Sequence, residues 1–314
     1  MLAESFSSLS VVSLWCEGDE SLPLVSGHSC TQLQRNSSLF YTFGGYTSEE
    51  RVRDAFSLSV NVAEQTCSVS RLKIPLAEFS GRAGHVSGAF GDSGKSFLGF
   101  GYDTKGAVLS DCYLVDLVTD ELILSKVENV SVAERRWAAH CVVDNNTMFV
   151  HGGWNDGGPL DDAVALDVRT QKWNKFETKK GVSLSPSARR WHTANCEPQS
   201  HDVIVVGGYD GKKHYSDCWI FDFRAAQWRQ VKDTKVGRAR HMACAGVVFG
   251  GYDSKSNVLG NAIRTKDFCE VICPFELKRA GGAVSAMNDE SFVLVGGFDA
   301  QNTLTNQVYV IEKK

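Results

Sequence analysis

The chain has 314 residues, with 33 Lys and Arg against 37 Asp and Glu, a formal net charge of −4 and 43% hydrophobic residues. This composition supports a folded core, and no apolar run reaches the roughly 18 residues of a membrane span. The charge balance excludes the strong basic footprint of a nucleic-acid-binding protein. The N-terminus has no basic segment of the kind that begins a secretory signal, so we expect a cytoplasmic or nuclear protein with reduced cysteines.

The first strand-like segment is the alternating run Leu9–Trp15. After it, a short apolar run ending in a glycine pair and an aromatic residue recurs six times, at intervals of about 50 residues, which indicates one structural unit copied six times. Only the second copy departs from the pattern, with Phe100 in place of the first glycine. The six copies are Gly44-Gly45-Tyr46, Phe100-Gly101-Tyr102, Gly152-Gly153-Trp154, Gly207-Gly208-Tyr209, Gly250-Gly251-Tyr252 and Gly296-Gly297-Phe298.

Two further signals accompany each glycine pair. An Asp or Asn follows nine or ten residues after the second glycine, and another strand-like run, usually introduced by Arg and His, precedes the pair. Each unit therefore predicts four short antiparallel strands, which is typical of a propeller blade. The acidic or amide markers are Asp54, Asp111, Asp162, Asp217, Asn261 and Asn306.

In this order of signals the chain resembles the kelch repeat family over nearly its whole length. The resemblance implies an all-β fold, a six-bladed kelch β-propeller forming a single domain over residues 1–314. The last unit lacks its fourth strand, so we expect residues 9–16 to complete it and close the ring. The predicted blades are residues 26–75, 81–128, 134–178, 187–232, 237–275 and 278–314 plus 9–16.

The resemblance also implies that the loops around each glycine pair gather on one face. Arginines and aromatic residues recur there, and two interpretations remain open for each arginine: pairing with an acidic marker inside the fold, or contact with a ligand. Arginine binds carboxylates through two parallel hydrogen bonds, so we expect an acidic peptide or a C-terminal carboxylate as ligand. The candidate partner-binding residues are Arg82, Arg136, Trp154, Arg189, Arg190, Tyr209, Arg238 and Tyr252.

Kelch substrate receptors of ubiquitin ligases hold such ligands, and trafficking and cytoskeletal kelch proteins consist of little besides the propeller. We therefore expect a non-enzymatic protein-interaction module, such as an adaptor or substrate receptor in a ubiquitin-ligase or trafficking complex, with no cofactor. One alternative is a small-molecule or metal-dependent enzyme with its site at the channel mouth. The nearest match to the family's iron triad has Glu50 and Asp54 but Leu58 in the third position. A second alternative is a scaffold that binds through its blade edges.

Overall fold

A computed structural model describes residues 6–17, 21–32, 37–77, 79–91, 93–176, 185–197, 199–274 and 277–314. Regular structure in these residues consists almost entirely of short β-strands, and none of them belongs to a helix long and apolar enough to cross a bilayer. The strands are β1 Leu9–Glu17, β2 Ser29–Gln32, β3 Leu39–Phe43, β4 Ala55–Asn61, β5 Thr66–Leu72, β6 Arg82–Ala83, β7 Val86–Ala89, β8 Lys95–Gly99, β9 Tyr102–Asp103, β10 Cys112–Val118, β11 Glu121–Lys126, β12 Ala139–Asp144, β13 Thr147–Asn155, β14 Gly158–Asp167, β15 Lys172–Phe176, β16 Thr193–Cys196, β17 Val203–Val206, β18 Cys218–Asp222, β19 Gln227–Gln230, β20 Met242–Cys244, β21 Val247–Phe249, β22 Ala262–Arg264, β23 Cys269–Val271, β24 Ala283–Ala286, β25 Ser291–Val295 and β26 Val308–Lys313.

Apart from β6 and β9, which pair with each other as a two-stranded sheet, these strands form antiparallel groups of four, one group for each copy of the repeat. Four of the groups are separate sheets: β7, β8, β10 and β11; β12 to β15; β16 to β19; and β20 to β23. The other two, β2 to β5 and β24 to β26 with β1, join into one sheet through β1. The all-β propeller prediction is confirmed. The strands lie inside the predicted blade ranges except that β1 extends to Glu17, and the blade limits themselves stay a prediction.

The first strand of each group lies at the centre of the molecule. β2 contacts β7, and the contacts continue through β12, β16, β20 and β24 back to β2. The second strand of every group is almost wholly buried, because it is covered by apolar side chains of its neighbours on both faces. The core is therefore a series of apolar clusters between adjacent groups, arranged around a central axis.

A closed ring of backbone hydrogen bonds surrounds this axis at one end. Just before the first strand of each group lies one residue in the left-handed conformation, and its N–H donates to the carbonyl of the equivalent residue in the preceding group, at 2.7–3.3 Å. The ring closes because the N–H of Gly27 donates to the carbonyl of Gly281. We call these six residues the mouth ring: Gly27, Gly84, Trp137, Trp191, Arg240 and Gly281.

The glycine pairs are required where one group packs against the next. Gly207 has φ 61°, and a Cβ atom placed there would lie 2.7 Å from the carbonyl oxygen of Arg238 in the following group. Neither the dihedral angle nor the space suits a side chain. The second glycine, Gly208, donates its N–H to the same carbonyl at 2.8 Å. The repeat thus uses glycine because the backbone of the next group passes directly over the strand end.

Strand β1 connects the two ends of the chain. Residues Leu9–Leu14 pair antiparallel with β26, and Trp15–Glu17 then pair in parallel with β5. β1 is therefore the fourth strand of the last group, as predicted, and its final residues extend onto the outer edge of the first group. Leu9 and Leu14 are buried, so the strand also contributes to two core clusters.

Removal of residues 1–17 should lower the melting temperature of the whole domain strongly, because it exposes the edges of β26 and β5 and two core clusters together. Thermal unfolding followed by circular dichroism measures the effect. A truncated protein that melts cooperatively within a degree or two of the full chain would contradict the closure described above.

Candidate functional site

The mouth ring presents an uneven set of side chains to solvent. Half of its members are glycines, whereas the other half are Trp137, Trp191 and Arg240, with φ values of 54°, 58° and 55°. A bulky side chain in the left-handed region costs about 1–2 kcal/mol relative to the usual backbone conformations. The large residues therefore occupy positions where glycine would be easier to accommodate, which marks this side of the mouth as a candidate site.

Arginines flanking the mouth ring divide into two structural classes. In the first class the side chain points into the protein, where Arg82, Arg135 and Arg189 are wholly buried. Each forms two parallel hydrogen bonds with the acidic marker of its own group and a third with a backbone carbonyl. The pairs are Arg82 with Asp111, Arg135 with Asp162 and Arg189 with Asp217, at 2.6–2.9 Å.

This pairing shifts the titration of the acidic partners. Burial by itself raises the pKa of Asp217, but the hydrogen bonds and charge of Arg189 outweigh it, and the pKa lies below its usual value. The same two effects place the pKa of Asp162 below its usual value beside Arg135. Both carboxylates therefore stay charged at neutral pH, as a buried guanidinium requires.

The fifth and sixth groups use weaker versions of the pair. Arg238 donates to the amide oxygen of Asn261, and no described carboxylate lies within 4.0 Å of its guanidinium nitrogens. Burial lowers the pKa of Arg238 to about 10. Arg279 donates to the side chains of Gln307 and Tyr309. The predicted marker Asn306 instead donates to the carbonyl of Leu22.

Three of the predicted partner-binding arginines, Arg82, Arg189 and Arg238, are thus interior residues with no exposed surface. This corrects the expectation that they face a ligand. The physical reason is that consecutive residues of this segment point in different directions. In the third and fourth groups Arg135 and Arg189 point inward, and the next residues, Arg136 and Arg190, reach the mouth.

The second class of arginines comprises Arg136, Arg190 and Arg240, all half-buried against aromatic rings. The Cζ atom of Arg190 lies 4.0 Å from the ring centroid of Trp191 and 4.2 Å from that of Trp154. For Arg136 the corresponding distances are 4.9 Å to Trp137 and 5.1 Å to Tyr102. Guanidinium groups stacked in this way keep their in-plane N–H donors available at the ring edges.

Arg240 extends across the mouth from the fifth group toward the first. Its Cζ atom lies 4.3 Å from the ring centroid of Trp191, and its Nη1 donates to the hydroxyl of Tyr46 at 2.9 Å. Tyr46 covers Gly27, whose absent side chain leaves room for the tyrosine ring. Arg240 is not among the partner-binding residues predicted from the sequence. One sequence signal does mark its position: Arg240 directly precedes His241, just as Trp191 directly precedes His192 in the group before.

The predicted aromatic residues do lie around this group. Trp154 packs on Arg190, and Tyr209 stacks on Trp191 with ring centroids 5.8 Å apart and an interplanar angle of 13°. Tyr252 is farther along the rim, where its hydroxyl donates to the side chain of Asn302. The structure therefore brings Arg136, Arg190, Trp154 and Tyr209 together and leaves Tyr252 at the edge.

The three mouth arginines have no acidic partner among the described residues: no described carboxylate lies within 4.0 Å of their guanidinium nitrogens, and Nε of Arg136 and Nε of Arg190 are buried without a hydrogen bond. Burial, and then the charges of Arg136 and Arg240, lower the pKa of Arg190 to about 10. Nearby rim carboxylates are engaged in their own turns; Asp210, for example, accepts from the backbone of Lys212 and Lys213. The mouth thus concentrates positive charge on a chain of net charge −4.

Below the mouth ring lies a cavity of about 230 Å³ on the central axis. Its wall is built from the first strand and preceding turn of all six groups, and Arg240 is the mouth arginine that reaches it. Buried histidines contribute much of the polar surface. Each of three uses Nε2 at 2.9 Å from a polar atom of the preceding group: His85 with Ser29, His192 with His151, and His241 with Thr193.

Burial is the main cause that lowers the pKa of the cavity histidines His28, His85, His140, His192 and His241 below the usual value, to about 4 for His28. Burial also lowers the pKa of His151, the partner of His192 on β13, to about 3. The channel wall is therefore uncharged at neutral pH, and the positive charge is confined to the mouth. No group of three or more His, Cys, Asp or Glu side chains suited to a metal ion occurs in the described parts of the chain.

Neighbouring arginines permit a matched test of the two classes. Replacement of Arg189 by Met should lower the free energy of unfolding by about 3–5 kcal/mol, because it leaves the Asp217 carboxylate without its partner. Replacement of Arg190 by Met should cost about 1 kcal/mol or less, because its charge has no partner to lose. Chemical denaturation of both variants measures the difference. Equal losses would contradict the division into interior and mouth arginines.

Acid should destabilise the protein below about pH 6.5. The channel histidines have depressed pKa values in the folded state, so the unfolded chain binds protons first as the pH falls. The free energy of unfolding should have its full value above pH 6.5 and should decrease as the pH falls toward 4. Protonation of His28 in the unfolded chain should by itself lower the free energy of unfolding by about 2 kcal/mol at pH 5. Denaturation midpoints between pH 8 and pH 5 measure this. The loss should be smaller in His28→Asn but unchanged in His201→Gln, which lies outside the channel.

Comparisons with known proteins agree with this architecture. Residues 27–250 match the family model for the KLHDC2/KLHL20/DRC7 Kelch-repeats domain. Human Kelch domain-containing protein 10 is 28% identical over 158 residues, which cover 48% of this chain and 35% of that protein. The tRNA wybutosine-synthesizing protein 4 of Saccharomyces cerevisiae is 24% identical over 54% of this chain and 26% of its own length. Acyl-CoA-binding domain-containing protein 5 of Arabidopsis thaliana is 22% identical over 70% and 38%.

The chain thus spans well under half the length of each of these relatives. The family model, in contrast, extends over most of the chain. The chain belongs to the family of KLHDC2/KLHL20/DRC7 Kelch-repeats domains.

Proposed function

We propose that this propeller is a non-enzymatic protein-interaction module that binds carboxylates of a partner protein at its mouth. Kelch repeats point to protein partners in general, and the finer assignment rests on one observation. Arg136, Arg190 and Arg240 converge on aromatic faces beside the channel mouth with no described carboxylate opposite them. A bound anion would relieve their mutual repulsion and use their free N–H donors.

The chemistry of the three arginines favours a carboxylate over a diffuse negative charge. Stacking on Trp137, Trp154 and Trp191 fixes the planes of the guanidinium groups. A fixed, planar pair of N–H donors matches the two oxygens of a carboxylate. The aromatic residues around them are the type that anchors protein interfaces, because they bury a large area at a low entropic cost.

The dimensions of the mouth favour a peptide over a cofactor. The axial cavity of about 230 Å³ is smaller than the roughly 300–1,000 Å³ of pockets that enclose drug-sized ligands. It suits one or two residues of a chain that enters from the mouth. Three of the neutral histidines in its wall already use their Nε2 atoms in contacts between groups. These features support a binding role over the alternative of an enzyme at the channel mouth.

Two sources can supply the carboxylate: the C-terminus of a partner or Asp and Glu side chains within an acidic segment. In either case the propeller would act as an adaptor or as the substrate-recognition part of a larger assembly, such as a ubiquitin ligase or a trafficking complex. A location in the cytoplasm or nucleus stays a prediction.

Peptide arrays can test the proposal and separate the two sources. Random decapeptides would be presented with a free C-terminus, with a C-terminal amide, and with or without internal acidic residues. We expect selective binding to one carboxylate class, and fluorescence polarisation of the best peptide should show an affinity about 100-fold weaker for the Arg136→Glu/Arg190→Glu variant. Amide-insensitive binding of acidic peptides would identify an internal segment, and amide-sensitive binding a C-terminus.

The matched control is Lys172→Glu/Arg224→Glu, which makes the same charge change at exposed positions on outer strands and turns. This control should bind peptide as the wild type does. A folded Arg136→Glu/Arg190→Glu protein that keeps wild-type affinity would reject the mouth as the binding site and favour a scaffold that binds through its blade edges.

A further inference from the structure

Two cysteines lie side by side where the N-terminal strand meets the first group. Cys16 in β1 and Cys67 in β5 are paired positions on adjacent parallel strands. Neighbouring strands are about 4.7–4.9 Å apart, which falls inside the range of about 4.4–6.8 Å for Cα atoms joined by a disulfide. Directly paired residues project to the same face of a sheet, so the two thiols share one side.

The burial pattern identifies that side. Leu14 and Cys67 belong to the same buried apolar cluster, and Cys16 follows Leu14 by two residues, on the same face of β1. Cys67 is fully buried, whereas Cys16 is exposed, and both are free thiols. One sulfur is therefore accessible to a solvent oxidant, and the other is held next to it inside the sheet.

We propose that Cys16 and Cys67 form a reversible disulfide that covalently locks the closure of the propeller. The bond would join β1, the fourth strand of the last group, to the outer strand of the first group. These elements are otherwise connected by the short parallel pairing of Trp15–Glu17 with Thr66–Ser68.

The chemistry needs only a peroxide as oxidant. The Cys16 thiolate attacks one peroxide oxygen and becomes a sulfenic acid as the O–O bond breaks. The departing hydroxide takes up the proton that the Cys16 thiol released on ionisation and leaves as water. The Cys67 sulfur then attacks the sulfenic sulfur, the S–S bond forms, and a second water carries away the hydroxyl and the Cys67 proton. Two thiols and one hydrogen peroxide thus give one disulfide and two waters, and a dithiol reductant reverses the reaction by exchange.

The electrostatic environment supports this division of roles. A hydrogen bond from the Cys67 thiol lowers the pKa of Cys16, while the same interaction and then burial raise the pKa of Cys67. The accessible sulfur is thus the one that ionises more readily, as an attacking thiol must. The disulfide would close a loop of roughly 50 residues, a length at which a cross-link restricts the unfolded chain substantially.

Oxidation of the purified full chain tests the proposal. The protein would be treated with hydrogen peroxide, alkylated with N-ethylmaleimide, and digested with trypsin and Glu-C, which cleaves after Glu17 and so separates Cys16 from Cys30. Mass spectrometry should show the Cys16 and Cys67 peptides linked with the loss of two hydrogens. The oxidised protein should melt several degrees above the reduced one, and dithiothreitol should remove both effects.

Two variants keep the test specific. Cys16→Ser changes only an exposed thiol and should abolish the cross-link and the gain in melting temperature. Cys269→Ser removes another exposed thiol, on β23, and should retain both. The proposal is overturned if peroxide oxidises Cys16 without linking it to Cys67, or if the linked protein melts at the temperature of the reduced one.

Discussion

The closed circle of six backbone hydrogen bonds at the channel mouth is the constraint on which the rest of the structure depends. Each repeat must place one residue in the left-handed conformation, and its N–H and carbonyl must reach both neighbours. This requirement fixes the position of the first strand of every group around the axis. It also separates neighbouring side chains: the residue two places before each ring member carries its side chain into the protein, whereas Arg136 and Arg190, directly before Trp137 and Trp191, carry theirs onto the mouth. Interior side chains and mouth side chains therefore come from the same short segment of each group.

The buried arginines next to this circle take part both in backbone contacts between groups and in ion pairs within a group. The carbonyl of Arg189 accepts the N–H of Gly153 in the preceding group, while its side chain binds Asp217 in its own group. The backbone contact persists without the side chain: in the first group Val25 occupies this place, and its carbonyl still accepts from Gly297. Packing between groups thus depends on glycine and the backbone, and the ion pair stabilises each group internally. The second copy departs from this rule, because Phe100 stands at the first glycine position, adopts φ 62° and is fully buried.

Local signals were enough to predict the fold. The apolar runs before the glycine pairs became β3, β8, β13, β17, β21 and β25, and the alternating run at the N-terminus became β1. The site was harder to predict, because the sequence cannot show which of two consecutive arginines turns inward; Arg135-Arg136 and Arg189-Arg190 differ only in a register set by the mouth ring. Arg240 contacts Tyr46, which is distant in sequence, so no local pattern could reveal that it spans the mouth. The role of Asn306 was missed for a related reason, since its partner Leu22 lies at the other end of the chain.

The mouth ring makes the two sides of the channel mouth different, although the repeat is nearly the same in every group. Glycine at Gly27, Gly84 and Gly281 satisfies the left-handed backbone without strain, so the repeat itself gives no reason for Trp137, Trp191 and Arg240 on the opposite side. Trp137 lies directly over Gly84, and Trp191 stacks between Arg190 and Arg240, so these residues form one continuous layer of rings and guanidinium groups. Strain at three neighbouring positions, together with three cations lacking described acidic partners, is the combination of features on which the proposed anion site rests.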